Sequence, residues 1–369
     1  MNSFIGNILE NTISKSANQC GKEVLNKLKM AEAIVIWGTG AIGENAFKYY
    51  NSLGIKFACF ADNNKSRDNA TFMGLPVIHA DKFFESYKSV CIIIAVNKRT
   101  VGEIEKQLVE RGYTDIIPYN IDFSLRLDDI DANRKMLESN AEEIDYVYGL
   151  LSDEKSKHVF STLMKYRLSL DDTLIEEIYD KNQYFNNDII GTFQGTFVDC
   201  GAFNGDTLKN MLSWDKGSYD KYYAFEPDKE NYLSLEKYCE PLRNVYAKNM
   251  GVWNKRETMF FENSGTASSS INSIGTTPVE VDSIDNMFQN NVVDFIKMDI
   301  EGSESEALMG SKEVISKHAP ILAISIYHKP EDLWKIPKLI NELNNGYKIM
   351  IRHYESSAAE SVCYAINTL

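Results

Sequence analysis

Along most of the chain, short apolar runs of strand length alternate with stretches whose apolar positions recur at helical spacing, and the changeovers fall at glycines. The run Ala33-Ile-Val-Ile-Trp37 meets Gly38-Thr-Gly40-Ala-Ile-Gly43. A helix through Tyr50 follows, and a second strand, Phe57–Ala61, ends at Asp62. That order predicts a βαβ opening of Rossmann type. The alternation continues through Leu75–Ile78, Val90–Val96, a helix around Glu103 to Arg111, and Ile116–Tyr119. Upstream, residues 1–30 read as amphipathic helices, with Ile5, Ile8, Leu9 and Ile13 at helical spacing, and are expected to pack on this first domain. Between 121 and 190 the strands give way to charged, helical stretches, the pattern of a connector. From 191 to 369 strands and helices alternate again, and Tyr347–Tyr354 and Ser361–Ile366 form the antiparallel pair expected to complete a seven-stranded sheet. The expected class is α/β, with two Rossmann-like doubly wound domains, 31–120 and 191–369, joined by the helical connector.

Three strand ends in the second domain carry chemistry. Thr196-Phe-Val runs into Asp199-Cys-Gly201-Ala-Phe-Asn-Gly205, where glycines let backbone approach a nucleotide-like ligand. One strand-helix unit later, Tyr222-Tyr-Ala-Phe ends on Glu226, placed to grip a ribose diol. The third, Phe295-Ile-Lys-Met, ends on Asp299-Ile-Glu301-Gly302. No glycine after Gly205 completes a dinucleotide fingerprint, so the set suits S-adenosylmethionine better. In that reading Gly201 and Gly205 lie against the methionine moiety, Asp199 faces its ammonium, Glu226 takes the ribose, and Asn249, ending a strand from 244, sits beside the adenine.

Asp299 and Glu301 can orient an acceptor hydroxyl, take its proton, or hold a divalent cation. The helix dipole accounts for the acids that follow, Glu304 and Glu306, and less well for Asp299. His328 follows the apolar run 321–327 at the same sheet edge, where a neutral imidazole suits proton acceptance near pH 7. Arg352, His353 and Tyr354 occupy strand positions that either line an acceptor pocket or belong to a surface pair. The small, polar stretch 263–277 either closes over the ligand or is a surface loop.

With 369 residues the chain is long enough for two domains. A formal net charge of -14 opposes a phosphate backbone, so nucleic acid is not an expected partner. The 6 cysteines show no Cys-x-x-Cys pairing, as in a chain with reduced thiols and without a zinc site or disulfide framework. Its longest apolar runs are strand-length, and the N-terminus lacks a signal-peptide core. The expected location is the cytoplasm, with no membrane span.

The segments VDCGAFNGDT (198–207), AFEPD (224–228), FIKMDIEGSE (295–304) and SIYHKPEDLWKIP (325–337) resemble the FkbM family of S-adenosylmethionine-dependent methyltransferases, over residues 191 to the end. The resemblance implies a class I methyltransferase sheet, S-adenosylmethionine as cofactor, and Asp299 and Glu301 as site residues, and it strengthens the case for His328. The expected activity is O-methylation of a hydroxyl on a carbohydrate or glycan building block. Metal dependence, the acceptor and the oligomeric state stay open.

In the first domain, Gly38, Gly40 and Gly43 with Asp62 would alone predict NAD. No Tyr-x-x-x-Lys dyad follows, and no His-acid pair for hydride transfer accompanies the loop, so an NAD(P)-dependent oxidoreductase lacks its catalytic residues. Val35–Gly43, Cys59–Asn64 and Gly74–Ile78 resemble the small nucleotide- or nucleotide-sugar-binding domain that precedes some sugar acetyltransferases. The resemblance implies a phosphate-bearing ligand there. A non-catalytic nucleotide-sugar-binding module in glycan assembly and a vestigial scaffold are the alternatives.

Overall fold

The computed structural model describes residues 3–12, 17–96, 98–119, 130–169, 172–185, 187–214, 218–261, 277–289, 291–355 and 359–367. The chain divides into two compact units, residues 14–130 and residues 1–13 with 131–369.

In the first unit the strands are β1 (Ile34–Trp37), β2 (Cys59–Asp62), β3 (Thr71–Phe72), β4 (Leu75–His79), β5 (Cys91–Ile94) and β6 (Ile116–Pro118), in the order β3-β4-β2-β1-β5-β6. Every pairing is parallel except β3 with β4. Strands β1 and β5 are buried at all positions, which is why both read as unbroken apolar runs. Ile34 and Ile36 pack toward Ala46 and Tyr50, whereas Val35 and Trp37 pack toward Phe83, Ile104 and Leu108. One strand therefore serves a core on each face of the sheet, the arrangement of a doubly wound fold.

The second unit adds β7 (Thr196–Cys200), β8 (Lys221–Phe225) and β9 (Val245–Lys248), then β10 (Gly251–Val252), β11 (Glu257–Phe261) and β12 (Thr277–Asp282), then β13 (Phe295–Met298), β14 (Ile321–Ser325), β15 (Tyr347–His353) and β16 (Ser361–Asn367). Seven of them form one sheet in the order β15-β16-β14-β13-β7-β8-β9, and β10, β12 and β11 form a separate three-stranded sheet. In the large sheet only β16 runs antiparallel to its neighbours, β14 and β15. The ring of Phe197 stacks on Tyr222 and Phe295 of the adjacent strands, with centroids 4.8 and 4.4 Å apart, so the middle of the sheet is pinned by aromatics in register. The strand order reverses between β7 and β13, and ligands of open α/β sheets bind beyond the carboxyl ends at such a point.

Two expectations change. The helix Phe4–Asn11 packs within the second unit rather than on the first domain: Phe4 stacks on Tyr148 at 3.7 Å, and the Ile5 N–H donates to Asp145 at 2.8 Å. Helical spacing fixes which face of a helix is buried, not which core receives it. The helices Ala141–Leu150 and Glu154–Ser169 are likewise part of this unit rather than a separate connector. Ser152 N–H donates to Ile349 O at 2.9 Å, and Ile351 N–H donates to Ser156 Oγ at 3.0 Å, tying the second helix to β15. The polar stretch that either closes over the ligand or is a surface loop lies, through residue 276, outside the described residues.

Candidate active site

A cavity of about 310 Å³ opens beyond the carboxyl ends of β7, β8, β13 and β14. Its floor depends on Gly201, which has φ +77°. A Cβ there would lie 1.9 Å from the Asp299 carbonyl oxygen, so only glycine allows the ends of β7 and β13 to approach this closely. The chain then turns through Gly205 into the helix Asp206–Ser213.

Glu226, just past β8, is buried at the cavity wall. Its Oε2 accepts the Phe203 N–H at 2.8 Å and its Oε1 the Asp228 N–H at 2.9 Å. Burial pushes the carboxyl up to about 7 in spite of these bonds. Asn249 donates from Nδ2 to the carbonyls of Glu226 and Pro227 at 2.9 and 3.0 Å, which fixes the loop carrying Glu226.

At the floor, Lys297 of β13 lines the cavity, places Nζ 3.1 Å from Asp199 Oδ1 and donates to the Gly201 carbonyl at 2.7 Å. Asp199 also accepts the Tyr222 hydroxyl at 2.7 Å. Burial disfavours the charge on Lys297, but Asp199, Asp299 and Asp206 outweigh it and hold the ammonium protonated.

The opposite wall is acidic. Asp299 accepts hydroxyls from Tyr184 at 2.9 Å and Tyr327 at 3.1 Å. Burial works against its charge, yet Lys297, His328 and the two tyrosines hold the carboxyl below its ordinary range. Glu301 lines the cavity with φ +55°, an unusual backbone state for a side-chain-bearing residue and one that recurs at functional sites. Burial pushes its carboxyl up to about 7. His328 lies behind this wall, with Nδ1 2.9 Å from Glu304 Oε1 and Nε2 3.3 Å from Asp299 Oδ1 and 3.7 Å from Glu301 Oε2. Burial favours a neutral imidazole, but Glu304, Asp299 and Glu301 outweigh it and push His328 up to about 10.

Residues 199–349 match the family model described as the methyltransferase FkbM domain. The chain carries an FkbM methyltransferase domain. Over the whole fold, the crystal structure of methyltransferase FkbM from Methylobacillus flagellatus KT superposes with a TM-score of 0.67, covering 95% of this chain and 100% of that one at 20% identity. At that identity the likeness is one of fold. Aeropyrum pernix fibrillarin, crystallised with natively bound S-adenosyl-L-methionine, gives a TM-score of 0.30 at 12% identity over 46% of this chain and 66% of its own. No curated protein matches the chain.

Within the FkbM domain, Gly201, Glu226, Asp299 and Glu301 share the cavity. Four expectations need correction. Asp199 is fully buried and faces Lys297, so it supports the floor instead of reaching a ligand. Asn249 is spent on backbone carbonyls and lies outside the lining. His328 is held protonated by three carboxylates, not poised as a neutral base. Arg352, His353 and Tyr354 are buried in the fold: Arg352 pairs with Asp153 at 2.9 Å, His353 meets Ser361 at 2.8 Å, and Tyr354 meets Tyr364 at 2.7 Å. The helix Glu154–Ser169 covers this end of β15, so its polar residues point into protein rather than toward an acceptor.

The structure adds Lys297, Tyr184 and Tyr327 to the site, together with Glu304. A lysine inside the apolar run FIKM was a readable signal, because a buried strand tolerates a cation only beside a partner. Glu304 fits a helix-dipole acid in sequence, yet it is 1% exposed and faces His328.

In the first unit, a Cβ on Gly43 would lie 2.1 Å from the Gly38 carbonyl oxygen, which fixes the tight turn ahead of the helix Ala41–Ser52, while Gly40 faces open space. Asp62, the acid expected at a ribose, is bonded to the glycine loop and to its own loop. Its Oδ2 accepts the Thr39 N–H at 3.1 Å as well as the Thr39 hydroxyl, and its Oδ1 accepts the Asn64 N–H at 2.9 Å.

Proposed function

We propose that the protein is an S-adenosylmethionine-dependent O-methyltransferase acting on a hydroxyl of a carbohydrate or glycan building block. The observation that carries this reading is a single cavity with Glu226 on one wall and Asp299 and Glu301 on another, at the reversal of strand order. The residues fit the cofactor: Gly201 presents bare backbone to the cavity, and the Glu226 carboxylate keeps lone pairs for a diol after accepting two backbone N–H groups. When bound, the cofactor supplies an electrophilic methyl group on a sulfonium sulfur.

Glu226 holds the ribose, and the Gly201–Gly205 turn offers backbone to the amino-acid end. Asp299, fixed by two tyrosine hydroxyls, orients the acceptor. Glu301 takes the proton: it lines the cavity, and no hydrogen bond among the described residues ends on its carboxylate. Removing that proton matters because an alcohol is a poor nucleophile until it leaves. His328 acts on both carboxylates from behind as a positioning residue. Gln183 and Glu360 complete a polar wall suited to a polyol. In the first unit we infer a phosphate-bearing nucleotide or nucleotide sugar at the amides around Gly40, where the helix dipole favours an anion.

Incubation with methyl-labelled S-adenosylmethionine and a panel of sugars, glycans and nucleotide sugars tests the reading. Label on an acceptor oxygen supports it. Hydride transfer to NAD(P) without methyl transfer would favour an oxidoreductase.

A further inference from the structure

Behind the cavity wall, Asp299, Glu304 and His328 converge so that one donor atom from each lies within 4.8 Å of the other two. Their surroundings do not resemble a finished ion-pair network. The His328 side chain is 8% exposed, yet neither ring nitrogen makes a hydrogen bond, although carboxylate oxygens lie 2.9 and 3.3 Å away. A short distance with poor alignment is a weak hydrogen bond, and a cation that displaces the imidazole proton takes the ring nitrogen's lone pair. Glu304 is 1% exposed; its Oε1 accepts the Ile300 N–H at 2.8 Å, while its Oε2 is buried with no hydrogen-bond partner. Leaving such groups unpaired is costly in a protein interior.

Charge points the same way. Asp299, Glu301, Glu304 and Asp332 surround a single imidazole, and the two nearby lysines are shared: Lys297 acts on Asp299 but also pairs with Asp199, and Lys329 acts on Asp332 but donates to the Gly302 carbonyl. From these features we infer that Asp299, Glu304 and His328 form a binding site for one divalent cation with mixed oxygen and nitrogen preference, of which Mn²⁺ is a fitting probe. Two carboxylate oxygens and one imidazole nitrogen are a common donor set for first-row divalent ions. The cation offsets the excess negative charge behind the wall and fixes Asp299 from the side away from the cavity. The inference concerns the cluster alone and holds whether or not the acceptor is a sugar.

The test uses the full chain, stripped with chelator and titrated with Mn²⁺ while free ion is followed by electron paramagnetic resonance. We expect one Mn²⁺ per chain, a rise in the thermal midpoint on binding, and at least about tenfold weaker binding in Glu304→Gln and in His328→Ala. A second readout needs no variant. The electron spin echo of bound Mn²⁺ should carry nitrogen modulation from one imidazole. Absence of Mn²⁺ binding by the folded wild type, or saturating binding without nitrogen modulation, overturns the inference.

Discussion

The two units use the same strand-glycine-helix turn and differ in what the next strand-end carboxylate does. After β2, Asp62 turns back on the loop and accepts from Thr39 and Asn64. After β8, Glu226 supports its loop through Phe203 and Asp228 yet still lines an open cavity, and β13 brings further carboxylates to the other wall. A glycine turn therefore marks where backbone can approach a ligand. The strand ends around it decide whether a site with catalytic groups is assembled.

The largest expected effect comes from removing the proposed base, the feature that most separates the second unit from the first. Glu301→Ala should lower methyl-transfer turnover by about 10²–10⁴-fold with cofactor affinity nearly unchanged. If turnover survives, measured with saturating cofactor, the proton has another acceptor and the contrast between the units weakens.

A second variant separates support from chemistry. Arg352, paired with Asp153 and bonded to Ser156 Oγ at 2.8 Å, belongs to the packing between β15 and a helix. Arg352→Ala should cost about 3 kcal/mol in denaturant unfolding, the scale for breaking a largely buried pair. The folded fraction should keep its acceptor KM. A large rise in KM at unchanged stability would return Arg352 to the acceptor pocket.

What the sequence could and could not disclose follows the same division. Runs such as IVIW and CIII are legible as buried parallel strands because both faces are apolar, and Glu226 and Asp299 are legible because each ends such a run. Tyr184 reaches Asp299 from 115 positions away, and no local pattern encodes that contact. Residues 352–354 misled for a related reason. Polar groups in a strand signal solvent or a site only if nothing else covers them, and here Asp153, Ser156, Ser361 and Tyr364 supply the partners.

A smaller effect concerns pH. Since a ribose diol donates to the ionised carboxylate, and burial pushes Glu226 up to about 7, cofactor affinity should be full in mildly alkaline solution and fall by up to about tenfold per unit below that value. Unliganded stability should run the other way. A carboxyl raised from 4.5 to about 7 contributes stability below its ordinary value, and the contribution is lost as pH rises through about 7. Calorimetric titrations across this range should lose their pH dependence in Glu226→Gln.

The most direct test of the contrast is isothermal titration of the full chain with S-adenosylhomocysteine, the demethylated cofactor. The wild type should bind one equivalent. Glu226→Ala should weaken binding by roughly 1.5–3 kcal/mol, the scale for hydrogen bonds to a charged group, and Asp62→Ala should leave it unchanged. No binding by the folded wild type, or equal affinity in the wild type and Glu226→Ala, would contradict the assignment of the cofactor to this cavity.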